Sequence, residues 1–400
     1  MDSIKEALNP INVHFKIKVL LVDDQKIVGE TVKRMLADES DIELVFCDEP
    51  TNALQIAQEI EPTIILQDLV MPDIEGLTLV KFFRATPKLI NIPIIVLSSK
   101  EEAVTKAESF AVGANDYLVK LPDKIELIAR IRYHSQGYIN LLERNKAYES
   151  LEISQKALAR ELAKAGEYVI SLLPEPLKTP LVETFWRFIP SAQLGGDAFG
   201  YHWIDDDNFA MYLLDVCGHG VGSALMSVSA LNVLRGETLA GADYKDPASL
   251  LSALNKSFQM SDHNGLYFTI WYGVFNKSTQ TLKYAAGGHP PAFVISNNKK
   301  VQKLNNENFI IGGIPDFPYI SSECKLNLPC EIFIYSDGVY EIEKPDNSIW
   351  EMDEMIDFVA ANQGNEYYEI DELHKFVVNL SGKTILDDDF SMVKIILKEN

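Results

Sequence analysis

Positive charge is what this chain has least of. Its 400 residues carry 36 Lys and Arg against 58 Asp and Glu, a formal net charge of -22. A nucleic acid or an anionic membrane surface repels such a chain unless one basic face gathers its cations, and no such face is read here. Cysteine is also sparse. Cys47, Cys217, Cys324 and Cys330 form no CxxC pair, so neither a disulfide framework nor a thiolate zinc site is expected. Long apolar runs are missing as well. The opening stretch "MDSIKEALNPINVHFKIKVLLVDD" holds no uninterrupted segment of signal-peptide or membrane-spanning length, and the later runs are short. The expectation is a cytoplasmic protein with no membrane or nucleic-acid partner. What is present is a globular composition, 47% hydrophobic and 24% charged, in a chain long enough for two cored domains.

From Lys16 to about Asp123, short β-branched runs alternate with segments of helical period. "KIKVLLVDD", "TIILQDL" and "IPIIVLSS" read as buried parallel strands, and "KIVGETVKRML" and "TNALQIAQEI" as helices packed on them. The pattern predicts a doubly wound α/β sheet, whose function sits at the carboxyl ends of its strands. Those ends carry Asp23 and Asp24, then Asp68, Ser98 and, after "NDYLV", Lys120. Three carboxylates in one crevice need a cation, and oxygen ligands with room for water suit Mg2+. A carboxylate can also accept a phosphoryl group while the metal and an ammonium neutralise charge and a hydroxyl holds an oxygen. Asp68, Lys120 and Ser98 fit those roles. With "MPDIEG" after Asp68 and Pro122 after Lys120, the segment resembles the response-regulator receiver family. The resemblance implies that Asp68 takes phosphate from a histidine kinase or small phosphodonor and that Asp23, Asp24 and Asp68 hold Mg2+. It also implies that Ser98 and Lys120 contact the phosphate and that Tyr117 is the aromatic switch.

After Pro122 a long charged helix is expected. Tyr148, Leu151, Gln155, Leu158, Leu162, Ala165, Val169 and Leu172 follow a three-four spacing that reads as a coiled-coil seam, able to pair two chains into a homodimer. The alternative is a helix lying on one of its own domains. "LLPEPLKTP" ends it. The expected boundaries are a receiver at 1–123, a helical linker at 124–173 and a second domain at 174–400.

The second domain is rich in strands with helices between them, so packed sheets with helices outside are expected. Its most informative stretch is "LLDVCGHGVGSAL". The glycines are spaced GxGxG rather than GxGxxG and no Walker-type Lys-Ser/Thr follows, so a nucleotide cradle is excluded. Asp215 is the clue instead. Asp197 in "GGDAFG", Asp337 in "FIYSDGVYE" and Asp388 in "LDDDFSM" share its setting at apolar strands, where four carboxylates could meet at one sheet edge. Such a cluster needs cations, and oxygen ligands select Mg2+ or Mn2+. Two such ions could aim a water at phosphorus without a nucleophilic side chain. The glycines would let the chain turn after Asp215 so that the Val216 carbonyl also faces metal.

"GGD", "DVCGHGVGSALM", "TLKYAAGGHPPAFV", "IYSDGVYE" and "DDDFSMV" follow the order of the PPM-type serine/threonine phosphatases, and resemble most their stage II sporulation E-like, sigma-regulator branch. The resemblance implies an α-β-β-α sandwich, two Mn2+ or Mg2+ ions, and Asp197, Asp215, Asp337, Asp388 and the Val216 carbonyl as ligands, with Asp215 bridging and Asp215, Asp337 and Asp388 catalytic. Asp389 competes with Asp388, because the triple acid leaves the register open. Gly200 stands where the family motif ends in an acid. His219 and His289 read either as proton donors and substrate contacts or as loop residues satisfied by backbone. Asp205, Asp206 and Asp207 read as a solvated turn. The expected function is a response regulator whose phosphorylation at Asp68 controls a phosphoserine/phosphothreonine protein phosphatase, with a phosphorylated anti-anti-sigma (STAS-type) protein as substrate. The alternative is a non-catalytic adaptor response regulator that binds a sigma factor, which would be expected to lack the metal acids.

Overall fold

A computed structural model describes residues 16–399 apart from 73, 100–101, 298 and 363–367. The first fifteen residues of the expected receiver, and Asp73 of "MPDIEG", lie outside the described residues. The chain divides into two compact units, Met1–Gln155 and Lys156–Asn400.

The first unit alternates strand and helix: β1 (Ile17–Val22), α1 (Lys26–Leu36), β2 (Ile42–Cys47), α2 (Ala53–Ile60), β3 (Ile64–Asp68), α3 (Gly76–Ala85), β4 (Ile94–Ser98), α4 (Ala103–Ala111) and β5 (Asp116–Val119). The sheet order is β2-β1-β3-β4-β5, with every pair parallel. Successive side chains of β1 go to opposite faces. Leu20 and Val22 join Ala53, Leu79 and Phe83 on one side, and Val19 and Leu21 join Val28, Val32 and Leu127 on the other. Burial on both faces is why these strands read as unbroken apolar runs.

A single helix, α5 (Lys124–Ser171), follows, 48 residues long. Leu127, Ile131 and Ile139 are buried in the first unit's core, whereas residues 143–161 are all exposed. Within the chain the expected seam is uncovered there, Tyr148 being 64%, Leu151 53% and Leu158 61% exposed. Among the described residues no helix is long and apolar enough to cross a membrane.

The second unit comprises β6 (Val182–Ile189), β7 (Asp197–Trp203), β8 (Asn208–Val216), α6 (Val221–Arg235), α7 (Pro247–Ser257), β9 (Phe268–Asn276), β10 (Thr281–Gly287), β11 (Ala292–Ser296), β12 (Val301–Leu304) and β13 (Ser322–Lys325). It continues with β14 (Cys330–Tyr335), a small hairpin of β15 (Ile342–Glu343) and β16 (Ile349–Trp350), α8 (Met352–Ala361), α9 (Tyr368–Ser381) and β17 (Phe390–Leu397). Two five-stranded antiparallel sheets, β13-β10-β9-β8-β7 and β12-β11-β14-β17-β6, carry the fold. The first packs with Met226, Leu231, Leu250 and Leu254 of α6 and α7, and the second with Met355, Ile356, Leu373 and Val377 of α8 and α9. The layers are therefore α-β-β-α, and the whole chain is α/β. Sequence patterning did not single out β2, β7, β12 or β13. β7, "DAFGYHW", breaks its apolar run with Asp, Gly and His, while β12 and β13 are four-residue edge strands with mostly uncovered side chains.

Candidate functional site

Each unit gathers acids at strand ends. In the first, β1 delivers Asp23 and Asp24 and β3 ends on Asp68, and one oxygen from each lies within 4.8 Å of the others. Lys120, just past β5, donates to Asp23 Oδ2 at 2.7 Å and to Asp68 Oδ1 at 2.8 Å. Burial alone would lower the Lys120 pKa, but hydrogen bonds to Asp23 and Asp68 outweigh it and hold the ammonium above its usual value. Asp68 moves upward, burial and the Asp23 charge together exceeding the help from Lys120. Asp24 Oδ1 and Asp68 Oδ2 are buried without a hydrogen-bond partner, which a cation would remedy. Gly76 is required where α3 closes over this site, since a Cβ there would lie 2.0 Å from the Asp68 carbonyl oxygen. Ser98, at the end of β4, and Tyr117, in the adjoining β5, are both buried, and the Lys106 ammonium sits 5.4 Å from the Tyr117 ring centroid. Asp23, Asp24, Asp68 and Lys120 thus come together at the carboxyl end of the sheet, where Ser98 also ends β4, while Tyr117 lies earlier in β5, opposite Val96.

In the second unit the pairing of β7 with β8 sets Asp197 directly opposite Asp215. The other two acids come from the second sheet. Tyr335 of β14 pairs with Met392 of β17, and Ser336 N–H donates to the Ser391 carbonyl at 3.0 Å, so Asp337 and the 387–389 acids emerge side by side. Gly338 permits this approach, because a Cβ would meet the Asp389 carbonyl oxygen at 2.3 Å. Gly218 (φ +78°) and Gly220 (φ +96°) take left-handed conformations, which lets the chain reverse after Val216 and enter α6. Gly196 has the same necessity at close range, its missing Cβ leaving room for the Val216 carbonyl oxygen 2.5 Å away.

The triple acid divides its labour. Asp389 is buried and its carboxylate accepts from Ser191 N–H (2.8 Å), Ser191 Oγ (3.0 Å), Gly196 N–H (2.7 Å) and Asp197 N–H (3.3 Å). It clamps the 191–197 loop to the start of β17. Asp388 instead lines a cavity with Asp337, and the nearby Asp337 and Asp389 charges add to burial in raising its pKa. Asp387 is exposed and pairs with Lys383.

Among the described residues no ammonium pairs with any of the four acids singled out by sequence, Lys383 pairing with Asp387 instead. Burial and then the Asp337 and Asp388 charges push Asp215 up to about 7. Asp197, fully enclosed, is driven well above the usual carboxylate range by burial and then by Asp215, and one of its oxygens has no hydrogen-bond partner. Asp337 is raised by burial and then by Glu341. Oxygen-only donors, mutual repulsion and an orphaned buried oxygen fit one or more divalent cations. Among the described residues, only the receiver acids meet as three ligand atoms within 4.8 Å. Asp197 and Asp215 meet closely enough to share a side-chain hydrogen bond, which partly offsets the upward push on Asp215.

The two histidines part company. His289 is buried with neither ring nitrogen hydrogen-bonded, and burial lowers its pKa to about 3, so it is neutral. His219 is exposed and close enough to Asp388 to favour its ionised form. At Gly200 the structure supplies a reason for the missing acid, since a Cβ there would strike the Tyr212 hydroxyl at 2.4 Å. Asp205 accepts from Asp207 N–H, Asn208 N–H and Asn208 Nδ2, an ordinary polar turn between β7 and β8. Sequence reading gave no role to Lys383, Glu341 or Glu343, which share the cavity beside Asp337 and Asp388; Glu341 closes the "IYSDGVYE" stretch, while no motif marks Lys383 or Glu343.

Comparison with known proteins accounts for both units. Residues 19–132 match the response regulator receiver domain model and residues 205–398 that of Stage II sporulation protein E. The second match begins after Asp197 and contains Asp215, Val216, Asp337 and Asp388. The chain is similar to Protein IcfG of Synechocystis sp., 23% identical over 339 residues, covering 76% of this chain and 51% of that protein. It is similar also to Phosphoserine phosphatase RsbP of Bacillus subtilis, 27% identical over 225 residues, covering 53% of this chain and 56% of that protein. The chain thus spans about half the length of these curated relatives. The SiaA-PP2C domain of Pseudomonas aeruginosa shares the fold, with a TM-score of 0.53 at 19% identity, over 62% of this chain and 98% of that one.

Proposed function

We propose, for a chain that joins a response regulator receiver domain to a Stage II sporulation protein E domain, that phosphorylation of Asp68 controls a metal-dependent phosphoserine/phosphothreonine protein phosphatase. The observation that carries the reading is the set of four facing acids, Asp197, Asp215, Asp337 and Asp388, with no ammonium among them and with Asp215 raised to about 7. Two Mn2+ or Mg2+ ions held by these carboxylates and the Val216 carbonyl would supply charge neutralisation and an activated water. In the net reaction a water oxygen bonds to phosphorus, the phosphorus to serine-oxygen bond breaks, and serine and inorganic phosphate leave. Asp389 keeps the Asp197 loop in place for this, and His219 rather than His289 fits the proton-donor role, being exposed beside Asp388.

In the receiver, Asp23, Asp24 and Asp68 would hold Mg2+ while Asp68 accepts phosphate from a histidine kinase or small phosphodonor. Lys120, Ser98 and Tyr117 would respond to it. α5 begins four residues after Lys120, and its uncovered seam suits pairing with a second copy of the chain. The substrate class implied by the family resemblance is a phosphorylated anti-anti-sigma protein of STAS type, and the name of the RsbP relative supports phosphoserine. A non-catalytic adaptor has no use for four mutually repelling carboxylates, so their retention argues against it. The test is release of phosphate from a serine-phosphorylated STAS protein by the full chain with Mn2+. Faster release with acetyl phosphate, lost in Asp68→Asn, is expected; no release under any of these conditions would refute the proposal.

A further inference from the structure

A cavity of about 170 Å3, room for several waters, opens beside Asp337 and Asp388. Its wall adds three further carboxylates, Glu341, Glu343 and Asp387, and one cation, Lys383. Lys383 follows a turn fixed by Gly382 in a left-handed conformation (φ +65°), and its N–H donates to Ser381 Oγ at 3.1 Å. Its ammonium pairs with Asp387, whose side chain is 72% exposed. An exposed pair of this kind contributes little to stability, so the fold does not explain a lysine at this place.

We infer that Lys383 is a substrate-binding residue, holding the non-bridging oxygens of the phosphoryl group that the second unit hydrolyses. The inference rests on the phosphatase reading above and deepens it. Two divalent ions would bring four positive charges against the four negative charges of Asp197, Asp215, Asp337 and Asp388, leaving the metal centre near neutral. A phosphoserine then brings about -1.5 to -2 more into a cleft walled by three additional carboxylates. Like charges at such range repel by amounts that would prevent binding unless a cation stands among them. Among the described residues lining the cavity, Lys383 is that cation. An ammonium suits the task, being a compact charge with three donors that needs no fixed bidentate geometry. Asp387 keeps it protonated and holds it at the mouth until the phosphate replaces the carboxylate as its partner.

The test uses the full chain with Mn2+ and beryllofluoride, following p-nitrophenol release from p-nitrophenyl phosphate, together with calorimetric binding of inorganic phosphate. Lys383→Ala is expected to raise KM about tenfold and weaken phosphate binding in parallel, with kcat within about twofold. Lys383→Glu should be worse, and Lys383→Arg should restore most of the loss. Asp387→Asn, which removes the carboxylate that competes with phosphate for the ammonium, should lower KM; a purely structural pair would make Asp387→Asn and Lys383→Ala behave alike. If the wild type turns over and Lys383→Ala alters neither KM nor phosphate affinity, this inference falls and the phosphatase reading stands. If the wild type releases phosphate from neither p-nitrophenyl phosphate nor the serine-phosphorylated STAS protein, both fall.

Discussion

The two units solve the same electrostatic problem in opposite ways. The receiver packs Asp23, Asp24 and Asp68 within 4.8 Å and inserts an ammonium of its own, Lys120, at 2.7 and 2.8 Å from two of them. The second unit brings Asp197, Asp215, Asp337 and Asp388 to one edge, with no ammonium paired to any of the four among the described residues, and burial followed by the Asp337 and Asp388 charges raises Asp215 to about 7. An internal cation makes a site that can exist with or without phosphate, as a switch must. On the proposed function, the charge left unbalanced in the second site would be met by divalent ions and then by the phosphorylated substrate.

The largest effect should come from breaking the unbalanced site. Asp215→Asn is expected to lower Mn2+-dependent phosphate release on the order of a thousandfold, because ligands that act as a unit are lost as a unit. Asp68→Asn should retain basal release and lose only the response to phosphodonor, measured in the same assay. Next comes the clamp. Asp389→Ala strands the donors of Ser191, Gly196 and Asp197, and should cost about 3 kcal/mol, read as a lower urea midpoint. Asp388→Asn should reduce activity with little change in that midpoint.

A third prediction concerns pH. A carboxyl raised in the folded state binds its proton there while the unfolded state has already released it, so stability falls as pH rises between about 4 and about 7 and is flat above. Chelated protein should therefore lose stability across that window, and Mn2+ should remove the slope; thermal denaturation at each pH, with and without EDTA, measures it. The smallest effect on folding belongs to the seam. Leu158→Lys should shift sedimentation from dimer toward monomer, while the unfolding free energy from urea denaturation at low protein concentration changes by no more than about 0.5 kcal/mol.

Much of this was legible in the sequence because strand ends are where the chain must change composition. An apolar run that stops at Asp23, Asp68 or Asp215 shows both the strand and the acid it delivers. Register was harder. That Asp197 faces Asp215 depends on β7, whose Gly200 exists to clear the Tyr212 ring from the partner strand, a contact no local pattern encodes. The triple acid was ambiguous for the same reason. Asp388 and Asp389 both precede β17 and look alike in sequence; Asp389 is the one buried, held by donors nearly two hundred residues away at Ser191 and Gly196. Lys383 carries no motif at all and acquires meaning only from the cavity it shares with Asp337 and Asp388.

The central claim, that the two acidic sites take up separate sets of divalent ions, the first with Lys120 already paired to its acids, is tested most directly by counting bound Mn2+ in calorimetric titrations of the wild type, Asp68→Asn and Asp215→Asn. The account predicts that Asp215→Asn loses the ions of the second unit and keeps that of the receiver, and that Asp68→Asn does the reverse. Equal Mn2+ stoichiometry and affinity in the wild type and Asp215→Asn would contradict it.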